Sequence, residues 1–165
     1  MYPQRKQIRI KGYDYAKSGA YFITICIANR QNLLWDQCRG ALWAPATGLP
    51  LSSIGKTVDE HIQNLNHIYP TVRVDKYCIM PDHIHMILMI ESEGSGRLPS
   101  APAIPRIINQ FKGSITKHIG VPIWQKSYID RVIRNNKGYQ AVWEYIDNNP
   151  FQMDTADDLP NFSEM

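Results

Sequence analysis

From residue 20 to 28 the chain reads AYFITICIA, a run of β-branched and aromatic residues that predicts a first strand. After a gap, Ile54, Val58, Ile62 and Leu65 recur at helical spacing within IGKTVDEHIQNLNHI, with Ser52 or Ser53 placed to cap the helix and Pro70 to end it. TVRVDKYCI then alternates like a strand, and the tight Met80-Pro81-Asp82 turn leads into the apolar HIHMILMI, so the two are expected to pair as a hairpin. A second amphipathic helix is predicted in IPRIINQFKGSITKHIG, where Ile107, Ile108, Phe111 and Ile115 share a side and Gly120 supplies the stop. VPIWQKSYIDRVIR reads as a short strand or extended loop, and NKGYQAVWEYIDNN as a last helix closed by Pro150. With no internal repeat, the order strand, helix, strand, strand, helix, strand, helix predicts an α+β fold: a ferredoxin-like antiparallel sheet with helices packed on one face.

The connecting segments add little to that outline. Residues 29–50 carry Gly40, Pro45, Gly48 and Pro50 and read as an irregular excursion or hairpin, while SEGSGRLPSAPA reads as a flexible loop too short to separate domains. A chain of 165 residues suits one domain, 1–165, and its acidic residues gather from Asp154 to Glu164 in an expected flexible tail, 151–165. Hydrophobic residues at 44% and a formal charge of +3 describe an ordinary globular protein whose bulk charge does not announce nucleic acid. The basic residues are uneven, however: Arg5, Lys6, Arg9 and Lys11 open the chain, and Lys126, Arg131, Arg134 and Lys137 follow a tryptophan. Such patches hold phosphates even at modest net charge.

Cys26, Cys38 and Cys78 form no C-x-x-C pair, and their odd number argues against a disulfide framework. No apolar stretch approaches the roughly 20 residues that span a bilayer, and the polar opening MYPQRKQIRIKG is unlike a signal peptide. A soluble protein of the reducing cytoplasm, with no membrane partner, is expected.

Candidate chemistry enters with the two histidines of the fourth apolar run. Strand side chains alternate with period two, so His83 and His85 share a face, while Ile84, Met86, Leu88 and Ile90 make the other face and are expected to pack on the core. Alone, an H-x-H is equally a pair of satisfied polar residues on a half-open sheet. On the last helix Tyr145 and Asn149 are four residues apart and therefore one turn from each other. If that helix packs toward the histidines, two imidazole nitrogens and an amide oxygen converge beside a phenol. A mixed N/O site with open positions suits Mg²⁺ or Mn²⁺ on a phosphodiester, with zinc a further option. A phenol, with an unperturbed pKa of about 10, then needs help from such an ion at the phosphate. Attack by Tyr145 gives a phosphotyrosine link that is itself a phosphodiester, so a second hydroxyl can redirect the reaction into strand transfer.

The blocks CIMPDHIHMIL, WQKSYIDRVIRN and VWEYIDNNP, in that order and spacing, resemble the REP-associated tyrosine transposases, a branch of the HUH-type single-tyrosine transposases. The resemblance runs from GAYFITICIANR to the Asn-Asn-Pro. It implies a ferredoxin-like fold, a divalent metal held by His83, His85 and Asn149, and Tyr145 as the nucleophile. It further implies cleavage and rejoining of single-stranded DNA near imperfect palindromes that fold into hairpins, by a monomer or a homodimer.

Several residues compete for these roles. Tyr128 in KSYID is a rival nucleophile near basic residues, and Tyr145 is preferred for its spacing and helix partner. Lys126, Arg131 and Arg134 are the candidate DNA contacts, Lys112 is a further cation that would face the phosphate from the second helix, and Trp124, Tyr139 and Trp143 read as packing residues. Two other classes remain open: a metal-dependent phosphodiesterase that uses water in place of Tyr145, and a non-catalytic nucleic-acid-binding module indifferent to loss of the histidines.

Overall fold

The computed structural model describes residues 11–36, 51–91 and 103–152. Its strands and main helices run β1 (Gly19–Cys26), α1 (Ser53–Ile68), β2 (Val72–Ile79), β3 (His83–Ile90), α2 (Ile104–Ile119), β4 (Ile129–Ile133) and α3 (Asn136–Gln152). The strands form one antiparallel sheet in the order β2-β3-β1-β4, the ferredoxin-like arrangement expected from the element order.

Local chemistry sets the element ends. The Ser52 hydroxyl accepts the Gly55 amide at 3.0 Å and donates to the Leu33 carbonyl at 2.6 Å, which starts α1 and ties it to the chain before it. Gly55 lies so close to Leu34 that a Cβ there would collide with the Leu34 carbonyl oxygen. Gly120 ends α2 in the left-handed conformation, φ 89°. Pro150, expected to close the last helix, lies inside it instead, and α3 runs on to Gln152. Proline removes one rung near the end of the ladder, which the terminal turn tolerates. The first strand is shorter than expected: Ile27 leaves it to make a single bridge with Trp124, and Ala28–Arg30 form one 3₁₀ turn.

The period-two alternation sorts the sheet into two faces. Tyr21, Ile23 and Ile25 of β1 and Ile84, Met86, Leu88 and Ile90 of β3 meet Val58, Ile62 and Leu65 of α1 and Ile107, Ile108, Phe111 and Ile115 of α2 in the main core. The opposite face holds a smaller cluster, where Phe22, Cys78 and Ile87 meet Val142 and Ile146 of α3. Packing on one face therefore describes α1 and α2, while α3 covers the other. The physical reason is that β1 and β3 are apolar on both sides, and two helices on one side leave Phe22 and Ile87 in need of cover.

The segment 37–50, the loop 92–102, the tail 153–165, the basic residues Arg5, Lys6 and Arg9, and Cys38 lie outside the described residues. Cys26 and Cys78 are buried thiols. Among the described residues no helix is long and apolar enough to cross a membrane.

Candidate active site

The histidine pair sits on the smaller-cluster face, at the start of β3. His85 lies level with Thr24 of β1 and Cys78 of β2, and His83 with Cys26. Both are out of solvent, His83 at 1% and His85 at 0% exposure, with ring centroids 4.7 Å apart. Each ring is held through Nδ1. Asp82 accepts from His83 Nδ1 at 2.6 Å, and Thr24 Oγ1 bonds His85 Nδ1 at 2.8 Å. Anchoring one ring nitrogen fixes the ring and directs Nε2 elsewhere, as metal-ligating histidines require. Burial, then the neighbouring His83 and Arg30, hold the His85 pKa well below the usual histidine value, so its imidazole is neutral and able to ligate.

Asp82 is in turn fixed on all sides. The Ile27 amide donates to its carbonyl at 2.8 Å and the Leu34 amide to Pro81 at 3.0 Å, which pins the turn ahead of β3. Arg30 Nε meets Asp82 Oδ2 at 3.1 Å while its Nη1 donates to Cys26 Sγ at 3.1 Å. Reaching that position puts Asn29 and Arg30 both at φ 55°, in the left-handed region that non-glycine residues seldom occupy.

α3 brings its tyrosine to this face. The Tyr145 ring stands 5.4 Å from the His85 ring and edge-on to Phe22 at 6.1 Å. One turn later Asn149 is fully buried, and neither of its amide atoms has a hydrogen-bond partner; His85 Nε2 likewise has none. An unsatisfied buried polar group costs about 1–3 kcal/mol, so a folded chain keeps such groups where a ligand satisfies them. The chemistry of these groups, imidazole nitrogens and an amide oxygen left without partners, suits a divalent cation. Among the described residues no three His, Cys, Asp or Glu side chains gather where they could hold a metal ion.

The other candidates fall in different places. Arg131 is half-buried on β4, level with Phe22 and so on the histidine face. Lys126 and Arg134 are exposed, one before β4 and one just after it. Tyr128 belongs to the main core, and it also lines a hollow shared with Thr24 and Arg30. Lys112 does not face the histidines; its ammonium donates to the Gln125 carbonyl at 2.5 Å and reaches those of Lys126 and Ser127 at 3.3 and 3.5 Å. Trp124 joins the main core and Tyr139 borders the smaller cluster, whereas Trp143 is partly exposed and carries the Lys76 ammonium 3.9 Å above its ring.

Sequence reasoning missed Thr24, Arg30 and Asp82. Thr24 was visible as the one aliphatic hydroxyl in the apolar run AYFITICIA, and Asp82 as the carboxylate directly ahead of the H-x-H. Arg30 gave no signal, because its place depends on a left-handed turn that spacing does not encode.

No protein-family model matches the chain. An uncharacterized protein of Haemophilus influenzae is 32% identical over 165 residues, which cover 88% of each chain. Another protein of that organism, named as a candidate REP-associated tyrosine transposase, is 25% identical over 146 residues, covering 83% of this chain and 73% of its relative. A solved REP-associated tyrosine transposase, bound in that structure to a REP hairpin, superposes with a TM-score of 0.64 at 22% identity, over 88% of this chain and 73% of that one.

A ferredoxin-like antiparallel sheet carrying a buried H-x-H, with a tyrosine helix on the same face, is the arrangement of an HUH-endonuclease-like domain. Within that class the chain belongs to the REP-associated tyrosine transposases. The relation carries a transposase-type, DNA-processing function.

Proposed function

We propose that this protein is a metal-dependent single-stranded DNA endonuclease and transposase that cleaves and rejoins DNA next to hairpins through a covalent phosphotyrosine. The observation that carries the reading is the packing of the Tyr145 ring against His85, 5.4 Å between centroids, on the face that holds the buried histidines.

His83, His85 and Asn149 are the residues to hold a divalent ion, Mg²⁺ or Mn²⁺. Bound there, such an ion supplies charge stabilisation at the scissile phosphate. Asp82 and Thr24 keep the two imidazoles oriented, and Phe22 limits how the Tyr145 ring turns. In the cleavage step the Tyr145 oxygen loses its proton and forms a bond to phosphorus, and the bond from phosphorus to the 3′-oxygen breaks, leaving a protonated 3′-hydroxyl. Attack by a second 3′-hydroxyl reverses the exchange, releases Tyr145 and joins the new strand. Tyr145 packs on the His85 of its own chain, which supports action within one chain's site, by a monomer or a homodimer. Lys126, Arg131 and Arg134 flank the site along β4, and their charges suit the phosphates of a folded single strand.

The test is incubation with labelled single-stranded hairpin oligonucleotides from the protein's own genomic neighbourhood, with Mn²⁺ or Mg²⁺ or with chelator. Cleavage is expected with either metal and not with chelator, and both Tyr145→Phe and His83→Ala should abolish cleavage while leaving most DNA binding. Undiminished hydrolysis by Tyr145→Phe points to a phosphodiesterase that uses water. Binding indifferent to all these changes, with no cleavage, points to a non-catalytic DNA-binding module.

A further inference from the structure

A polar hollow of about 210 Å³ is lined by Thr24, Arg30, Gln125, Ser127 and Tyr128 among others, and Thr24 links it to His85. One wall is the end of β1 with the turn at Ala28–Arg30, and the other is the segment that enters β4. The walls are tied together: the Gln125 amide donates to the Cys26 carbonyl at 2.9 Å and the Ala28 amide to the Ile123 carbonyl at 2.8 Å.

Both walls hold features that folding alone does not favour. Two successive non-glycine residues, Asn29 and Arg30, hold the left-handed conformation. Behind the second wall Lys112 spends its ammonium on the carbonyls of residues 125–127, and burial pushes its pKa below the usual lysine value. The hollow is thus a shape the fold maintains. Two of its residues also lead directly to the site: Thr24 bonds His85, and Arg30 holds the Asp82 that bonds His83.

The lining chemistry narrows the occupant. Asp82 compensates the charge of Arg30, so that a phosphate entering beside the guanidinium meets a carboxylate as well. What the lining offers is directional hydrogen bonding: the donor and acceptor of the Gln125 amide and the Ser127 hydroxyl. That set matches the edge of a flat heterocycle, and Gln is a side chain that reads base edges. Resting on the nuclease reading above, we infer that this hollow takes the nucleobase adjoining the scissile phosphodiester and so selects which nucleotide is placed for cleavage. Gln125 and Ser127 are its specificity-determining residues.

The experiment is amide NMR of the full-length ¹⁵N-labelled protein, titrated with each of the four deoxynucleoside 5′-monophosphates and with inorganic phosphate, all in chelator to millimolar concentration. One or two of the four nucleotides are expected to shift the amides of Thr24 and of residues 125–129 at several-fold lower concentration than the rest, and inorganic phosphate is expected to leave them in place. Ser127→Phe, which fills the hollow, should abolish the effect. Gln125→Ala, a milder change, should narrow the difference among bases while the rest of the spectrum stays unchanged. Equal response to all four bases, the same shifts with inorganic phosphate, or no shift at these amides would each overturn the inference. The two readings fail separately: base preference without a Tyr145 adduct sinks the nuclease and keeps the pocket, whereas an adduct without base preference does the reverse.

Discussion

On the face covered by α1 and α2, the strands present Tyr21, Ile23, Ile25, Ile84, Met86 and Leu88 to apolar helix residues, and nearly every buried group there gains from leaving water. On the face covered by α3 the same two strands present Thr24, His83 and His85, each at most 1% exposed, and α3 itself carries a fully buried Asn149. Burial is as deep on both faces, and its chemistry is opposite. Desolvation stabilises the first face and penalises the second, where His85 Nε2 and both Asn149 amide atoms lack a hydrogen-bond partner. The main core supplies stability that the histidine face spends on groups of use only to a ligand. A family whose members process DNA fits that division.

The faces should therefore answer differently to substitution. The largest effect belongs to Tyr145→Phe, which removes one oxygen from the half-buried ring: DNA cleavage is expected to fall by about 10³-fold or more, with thermal stability almost unchanged, read by gel assay beside calorimetry. Across the sheet Phe111→Ala should lower unfolding free energy by about 3–5 kcal/mol in denaturant titration. Its residual folded fraction should keep normal cleavage per molecule. A smaller change is expected of Asp82→Asn, which weakens the hold on His83: Mn²⁺ affinity should drop about 10–100-fold by calorimetric titration. Smallest, and opposite in sign, is Asn149→Leu. Deleting two buried amide atoms without partners is expected to raise stability by about 1 kcal/mol while Mn²⁺ binding is lost. A fall in stability there would mean that the amide serves the fold instead of a ligand.

Much of this arrangement was legible in the residues. The helical repeat of Ile54, Val58, Ile62 and Leu65, the stop at Gly120 and the element order led to the sheet that is observed, because periodicity and caps are local signals. The period-two placement of His83 and His85 opposite the core, and the four-residue step from Tyr145 to Asn149, were equally local. The position of α3 on the second face was not, since it depends on how much apolar surface β1 and β3 leave uncovered. Nor did spacing reveal that Lys112 would turn to carbonyl oxygens of the β4 approach, or that Arg30 would reach Asp82 through a left-handed turn. Those are contacts between distant segments, and a linear pattern of polar and apolar positions does not carry them.

The most direct measurement of the central claim is to trap the product of wild-type protein with a hairpin-bearing single strand and divalent metal, digest it, and map the modified residue by mass spectrometry. The account predicts a nucleotide-bearing peptide modified at Tyr145, absent when chelator is present. A modification at Tyr128, or efficient cleavage with no modified tyrosine at all, would contradict it.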